Sequence, residues 1–261
     1  MKAAIALAAM VTVAHADPDR LYFRAGVVHV TWLSQSHELT LSGVSGPASL
    51  AISDGPIAGS GAELAPITTP AVIAGYVLPI AHDRISIETV LGAPLHVKFR
   101  ATGTLANESI APMTLGLATG VPPLGSQLGE TDAAPPIVTA VYRIADLGPV
   151  HPYAGGGLAL LISYNARATN PVLTEVAPPA FHVDPAPGLV LQSGVEVQLW
   201  RRLVARADIK YIALMKAHAT VERIAVRTPD LPVFDTVKVG SAAMDMWLNP
   251  LVVQLGIGLD F

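Results

Sequence analysis

Along much of the chain, apolar and polar residues alternate with a period of two. That is the pattern of a β-strand whose two faces meet different surroundings. The clearest run closes the sequence, where Leu251, Val253, Leu255, Ile257, Leu259 and Phe261 alternate with Val252, Gln254, Gly256, Gly258 and Asp260. From Leu203 to Lys216 the same rhythm sets Leu203, Ile209 and Tyr211 opposite Arg206, Asp208 and Lys210. Extended along the chain, it predicts eight strands: Leu21–Trp32, Val72–Ile80, Arg84–Leu91, Ile137–Ile144, Tyr153–Tyr164, Leu189–Trp200, Leu203–Lys216 and Leu251–Phe261.

The connectors between them alternate in length. Long ones cover about 34–70, 93–135, 165–186 and 217–246, and short turns lie at 81–83, 145–150 and 201–202. This rhythm is that of an all-β, eight-stranded, antiparallel up-and-down transmembrane β-barrel, with short periplasmic turns and long external loops. The long connectors hold runs such as Gly120-Val121-Pro122-Pro123 and Ala177-Pro178-Pro179, which predict irregular, partly mobile loops. The rival architecture is a soluble sandwich or lipocalin-like barrel, with the apolar face turned inward.

Composition favours the membrane. Hydrophobic residues make up 51% of the 261 residues and charged residues 14%, against about 25% charged in soluble domains. Mean hydropathy is +0.49, yet no long uncharged apolar run follows the N-terminus. A membrane-like composition without a spanning helix points to strands that alternate their apolar residues. Lys2, the apolar run Ala3–Val13 and the small-residue site Ala14-His15-Ala16 read as a signal peptide over 1–16. Residues 17–261 then form the barrel, placed in the cell outer membrane of a Gram-negative bacterium. A net charge of −4 offers no basic surplus for nucleic acid.

Strand phase predicts the lumen. Eight strands enclose room for side chains or one small ligand. Arg24, Arg84, Glu88, Glu196, Arg206, Asp208 and Asp260 fall on inward positions at the periplasmic end, where they are expected to pair into a charged floor. Val28, Val30, Leu161, Val190, Ile212, Leu214 and Val252 fall on inward positions higher up, as an apolar upper lumen. An apolar chamber above a shut floor suits a hydrophobic ligand that leaves sideways into the membrane.

Four stretches resemble the OmpW family of outer-membrane proteins: Leu21-Tyr22-Phe23-Arg24-Ala25-Gly26, Ile85 to Pro94, Val150-His151-Pro152-Tyr153-Ala154-Gly155-Gly156-Gly157, and Leu248-Asn249-Pro250-Leu251 to Phe261. Their order spans residue 21 to the end. The resemblance implies an eight-stranded outer-membrane barrel with a narrow hydrophobic channel, some members being linked to uptake of small hydrophobic molecules. It also implies that Phe261 is the aromatic end of an assembly signal read by the barrel assembly machinery during biogenesis. The chain departs from the family in its long, Pro-rich stretches 93–135 and 165–186, and in Pro187 before Gly188, where family members tend to carry an aromatic.

Other chemistry finds little footing. The chain has no cysteine, and the histidines after position 16 form no H-x-H or H-x-x-x-H pair, so neither a metal nor a cofactor is expected. No Ser–His pair marks a catalytic site, and the chain is not expected to be an enzyme. Phe23, Tyr76, Tyr211, Trp247 and Phe261 are expected to form interface girdles. The function expected is passive uptake of small hydrophobic molecules, with lipid and lipopolysaccharide as surroundings. The alternative is a structural or loop-binding barrel that transports nothing.

Overall fold

The computed structural model describes residues 20–231 and 233–260. The expected signal peptide, Phe261 and the side chain of Asp260 lie outside the described residues. Eight strands form the barrel: β1 (Leu21–Trp32), β2 (Ile67–Val77), β3 (Ile85–Gly92), β4 (Ile137–Arg143), β5 (Val150–Ala168), β6 (Ala186–Trp200), β7 (Leu203–Ala213) and β8 (Pro250–Asp260). Each pairs antiparallel with the next. β8 returns to β1, with Val28 opposite Gln254, and closes the ring. Among the described residues no helix is long and apolar enough to cross a membrane.

The eight strands correspond one to one with the eight that alternation predicts, and the differences lie at their ends. β2 starts at Ile67 rather than Val72 and runs through Pro70. That proline is tolerated because β3 stops pairing one residue below it, at Ala71 opposite Gly92. β6 starts at Ala186 and carries Pro187 opposite Leu160 of β5. β7 stops at Ala213 because Leu214 takes a left-handed backbone, φ 59°.

The largest departure is in the long connectors. They are expected to be irregular, yet they fold into a second β tier above the barrel. Strand Ser60–Leu64 pairs with Leu95–Gly103, which pairs with Gln127–Ala134, which pairs with the upper half of β5. Beyond β5 follow Ala180–Val183, Lys216–Arg227 and Thr236–Trp247, and the last of these meets Gln35–Ser36 and Thr40–Ser42. β5 serves both levels: Tyr153 to Ala159 pair with β4, and Ile162 to Ala168 with Gln127–Ala134. At about 3.3 Å per residue, its 19 residues reach roughly 60 Å, about twice a bilayer core.

Alternation accounts for this tier as well, though short strands hide it between prolines. In Leu95–Gly103, Leu95, Val97, Phe99 and Ala101 are buried while His96, Lys98 and Arg100 are exposed. In the pair Lys216–Arg227 and Thr236–Trp247 the register shifts around Arg223, φ 59°, and Gly240, φ 100°. That bulge re-phases both strands, so Ile224, Val226 and Val239 face inward like Ala217 and Met244.

Candidate functional site

The barrel lumen divides into a charged lower layer and an apolar upper one. In the lower layer six charged side chains are buried: Arg24 from β1, Glu88 from β3, Glu196 from β6, and Arg206, Asp208 and Lys210 from β7. Three are cationic and three anionic. Arg206 is the hub. Its Nη1 lies 2.7 Å from Glu88 Oε1 and 3.3 Å from Glu196 Oε1, and its Nη2 lies 2.8 Å from Glu88 Oε2 and 3.0 Å from Asp208 Oδ2. Arg24 donates from Nε to Glu196 at 3.0 Å, and Lys210 donates to Asp208. Desolvated charges survive only when matched in this way.

Neutral groups complete the layer. Tyr22 donates to Glu88 at 2.6 Å and Tyr153 to Asp208 at 2.6 Å, while Gln192 bridges the same two carboxylates at 3.0 and 2.8 Å. The two phenol rings also lie against the guanidinium groups, 4.7 Å for Arg24 on Tyr22 and 4.5 Å for Arg206 on Tyr153. Each ring needs space on the neighbouring strand. A Cβ at Gly75 would stand 2.2 Å from the Tyr22 ring, and one at Gly194 would stand 2.3 Å from the Tyr153 hydroxyl. The network stops at Gln254, whose buried amide has no partner for either atom among the described residues. Below the layer a vestibule of about 210 Å³ opens, lined by Arg20, Arg143 and His151 as well as the plug's lower face.

Five of the seven residues predicted for the floor, Arg24, Glu88, Glu196, Arg206 and Asp208, meet in one cluster. Arg84 does not join it. β3 begins one residue later, and Arg84 stays on the rim, 3.3 Å from Asp146 of the adjacent turn. The Asp260 side chain lies outside the described residues. Sequence reasoning left out Lys210, Gln192, Tyr22 and Tyr153. The signal was available, since Lys210, Gln192 and Tyr22 each lie an even number of residues from a predicted floor residue on their own strand, and Tyr153 lies an even number from Leu161, predicted inward on β5.

Above the plug, Val28, Val30, Leu161, Val190, Ile212 and Val252 are buried in one apolar cluster that continues into the upper tier through Val97, Phe99, Met244 and Met246. Leu214 is a correction: it is 63% exposed. Its left-handed turn breaks the alternation, and Met215 takes the inward position instead. Within the tier lies a cavity of about 90 Å³, lined by Leu64, Val97, Phe99, Leu161 and Met246 among others. Thr131 and Ser163 are the polar residues in its wall among the described residues. Phe99 meets Phe181 edge-on across it, with centroids 5.3 Å apart.

The outer wall is apolar along the barrel, where Leu255, Ile257 and Leu259 are exposed. Phe23, Tyr142 and Trp200 are exposed towards its periplasmic end, with Tyr76 paired nearby to Leu21. Tyr211 lies at the other end of the barrel wall, and Trp247 in the tier faces Lys216. Among the described residues no group of His, Asp and Glu is arranged to hold a metal ion.

A closed eight-stranded barrel with an apolar girdle outside and a charged layer inside defines an outer-membrane β-barrel. The crystal structure of the outer membrane protein OprG from Pseudomonas aeruginosa has the same fold, with a TM-score of 0.68 at 15% identity over 94% of this chain and 97% of that one. The OmpW family model matches residues 21–261, and the chain belongs to that family. Two curated relatives are 23% identical over 187 residues, 72% of this chain and 68% of theirs. They are the dibenzothiophene metabolism operon proteins PahQ of Pseudomonas aeruginosa and DoxH of Pseudomonas sp. strain C18.

Proposed function

We propose that this outer-membrane barrel is a passive conduit for small hydrophobic molecules. The carrying observation is the apolar cavity of about 90 Å³ seated above a charge-balanced plug. A hydrophobic solute gains by leaving water for such a cavity, and the plug denies it the straight way down. The solute therefore passes sideways into the membrane. The names of PahQ and DoxH, tied to dibenzothiophene metabolism, fit a hydrophobic cargo. In this reading residues 1–16 direct export and are removed, Phe261 serves assembly, the outer wall meets lipid and lipopolysaccharide, and no residue is given a catalytic role.

The rival reading has its own observation: the upper tier is polar outside and apolar inside, as any soluble β-structure needs for its core. Uptake separates the two. Cells with an intact outer membrane are given a polycyclic aromatic probe while expressing the wild type, Ile212→Glu or Leu214→Glu at matched levels in the membrane. A conduit makes the wild type faster than empty cells, abolishes the gain in Ile212→Glu, and keeps it in Leu214→Glu, whose side chain is exposed. No gain with the wild type overturns the conduit and leaves the structural barrel.

A further inference from the structure

A second apolar cavity, of about 180 Å³, lies at the tips of the loops, between residues 47–52 of the first loop, 111–119 of the second and 226–231 and 233–239 of the fourth. Its floor is buried at Ala48, Val226 and Val239. Its rim carries large apolar residues in the open: Leu115 is 79% and Val233 81% exposed, with Leu50 and Leu117 beside them. Apolar side chains presented together at the far end of a membrane protein mark a contact site.

Two observations say what the contact is. First, the cavity lies directly against the inner one, with the buried Val239 as the wall they share. Second, the two cavities share a chemical detail. Each wall holds one buried hydroxyl without a partner among the described residues, Thr114 Oγ1 at the tip and Ser163 Oγ within. The other threonines of these walls are satisfied: Thr119 by Ala111 and Val121, Thr228 by Phe234, and Thr131 by Tyr164. A lone hydroxyl in an apolar wall selects a ligand that brings one polar atom to meet it.

We propose that the loop-tip cavity is an outer capture site for largely apolar molecules bearing one hydrogen-bonding atom, and that it hands them past Val239 to the inner cavity, where Ser163 repeats the contact. This rests on the conduit reading and narrows its substrate class. An apolar molecule meets a cavity of its own polarity before it reaches the barrel, so the loops raise the capture rate rather than only frame the entrance.

The test reads the tip directly. Val233→Trp, in lipid nanodiscs, is titrated with 1-bromonaphthalene and with 4-bromo-1-naphthol, and quenching is taken relative to the wild type, in which Trp200 reports partition into lipid while Trp32 and Trp247 report the inner cluster and the tier. Saturable quenching at position 233 is expected, tighter for the naphthol. Thr114→Val should remove that preference, a loss of about three- to tenfold for one hydrogen bond. Leu50→Glu, an exposed rim position, should weaken both probes by about tenfold or more through a charge set among apolar contacts. Quenching that does not saturate overturns the tip site even if wild-type cells take up probe, which leaves the conduit standing. Equal affinity for the two probes, unchanged by Thr114→Val, overturns the polar-atom selectivity. Saturable quenching in a protein whose wild type gives no uptake overturns the conduit and the capture role with it.

Discussion

The lower barrel and the upper tier are built from the same alternating strands and share β5, yet their polarity is reversed. In the barrel, Arg24, Glu88 and Arg206 point inward while Leu255 and Ile257 point out. In the tier, Val97 and Phe99 point inward while His96 and Lys98 point out. The surroundings dictate the outer face, hydrocarbon below and water above, and the inner face is left to function and packing. The reversal falls above Arg206 and Asp208 on β7, where Ile212 is already apolar, and β5 reverses in the same way between Tyr153 and Leu161. The inner face turns apolar while the outer wall is still apolar at Val27, Leu158 and Leu189, so the chamber begins within the barrel and continues into the tier.

The sharpest way to break this comparison is to remove the hub of the lower layer. Arg206→Leu leaves Glu88 and Asp208 buried with one cation fewer, and should cost about 3–5 kcal/mol, read as a lower midpoint of urea unfolding in vesicles. The double variant Arg206→Leu with Glu88→Gln should recover part of that loss. A single variant as stable as the wild type means that the charges are not sealed from water. In the tier, Leu64→Ala removes a buried side chain and should cost roughly 2–4 kcal/mol. That loss should appear as faster proteolysis of the loops while the barrel keeps its slow, unboiled migration in detergent gels. If both regions loosen together, they form one cooperative unit and the comparison is only geometric.

The smallest effect belongs to the tier's outer face. His96 lies 3.1 Å from Asp132 and 3.0 Å from Glu130, outside the membrane-spanning segments. Its hydrogen bond to Asp132, followed by that to Glu130, raises its pKa above the ordinary histidine value. Arg167 chiefly lowers that of Glu130, and Asn165, then His96, lowers that of Asp132. The stabilisation from His96 is therefore complete below about pH 6.5 and fades as pH rises through its elevated value. That from the carboxylates is present above about pH 4 and is lost as pH falls. These groups are exposed, so a few tenths of a kcal/mol is the scale. An NMR titration of His96 should give a pKa above the ordinary histidine value, and Asp132→Asn should bring it down.

The barrel was legible because period-two alternation is long and uninterrupted where both faces have strict demands. The tier was not, because its strands are short and broken by proline and glycine, and the bulge at Arg223 and Gly240 shifts the phase that a reader would follow. The same limit operated within the site. Arg206 and Glu196 stand out as charges on apolar strands and face each other across one pair. Tyr22 and Tyr153 carry no charge to mark them, and it is the space above Gly75 and Gly194 that shows where their rings go. Leu214 misled because a single left-handed residue ends the alternation, and leucine does not announce that conformation.

The closure of the two levels has a consequence for the order in which the protein is made. The barrel's seam joins β1 to β8, the first strand to the last. Directly above, the tier's seam joins 35–36 and 40–42 to Thr236–Trp247, again the first loop to the last. The chain must therefore bring its two ends together twice along one line. Until the last loop arrives, the apolar faces of Val97, Phe99 and Leu64 have no Met244 or Met246 to cover them. The tier thus cannot close before its last strand is in place, and the barrel cannot close before β8, which follows that strand in the chain, so both seams wait for the same end of the sequence.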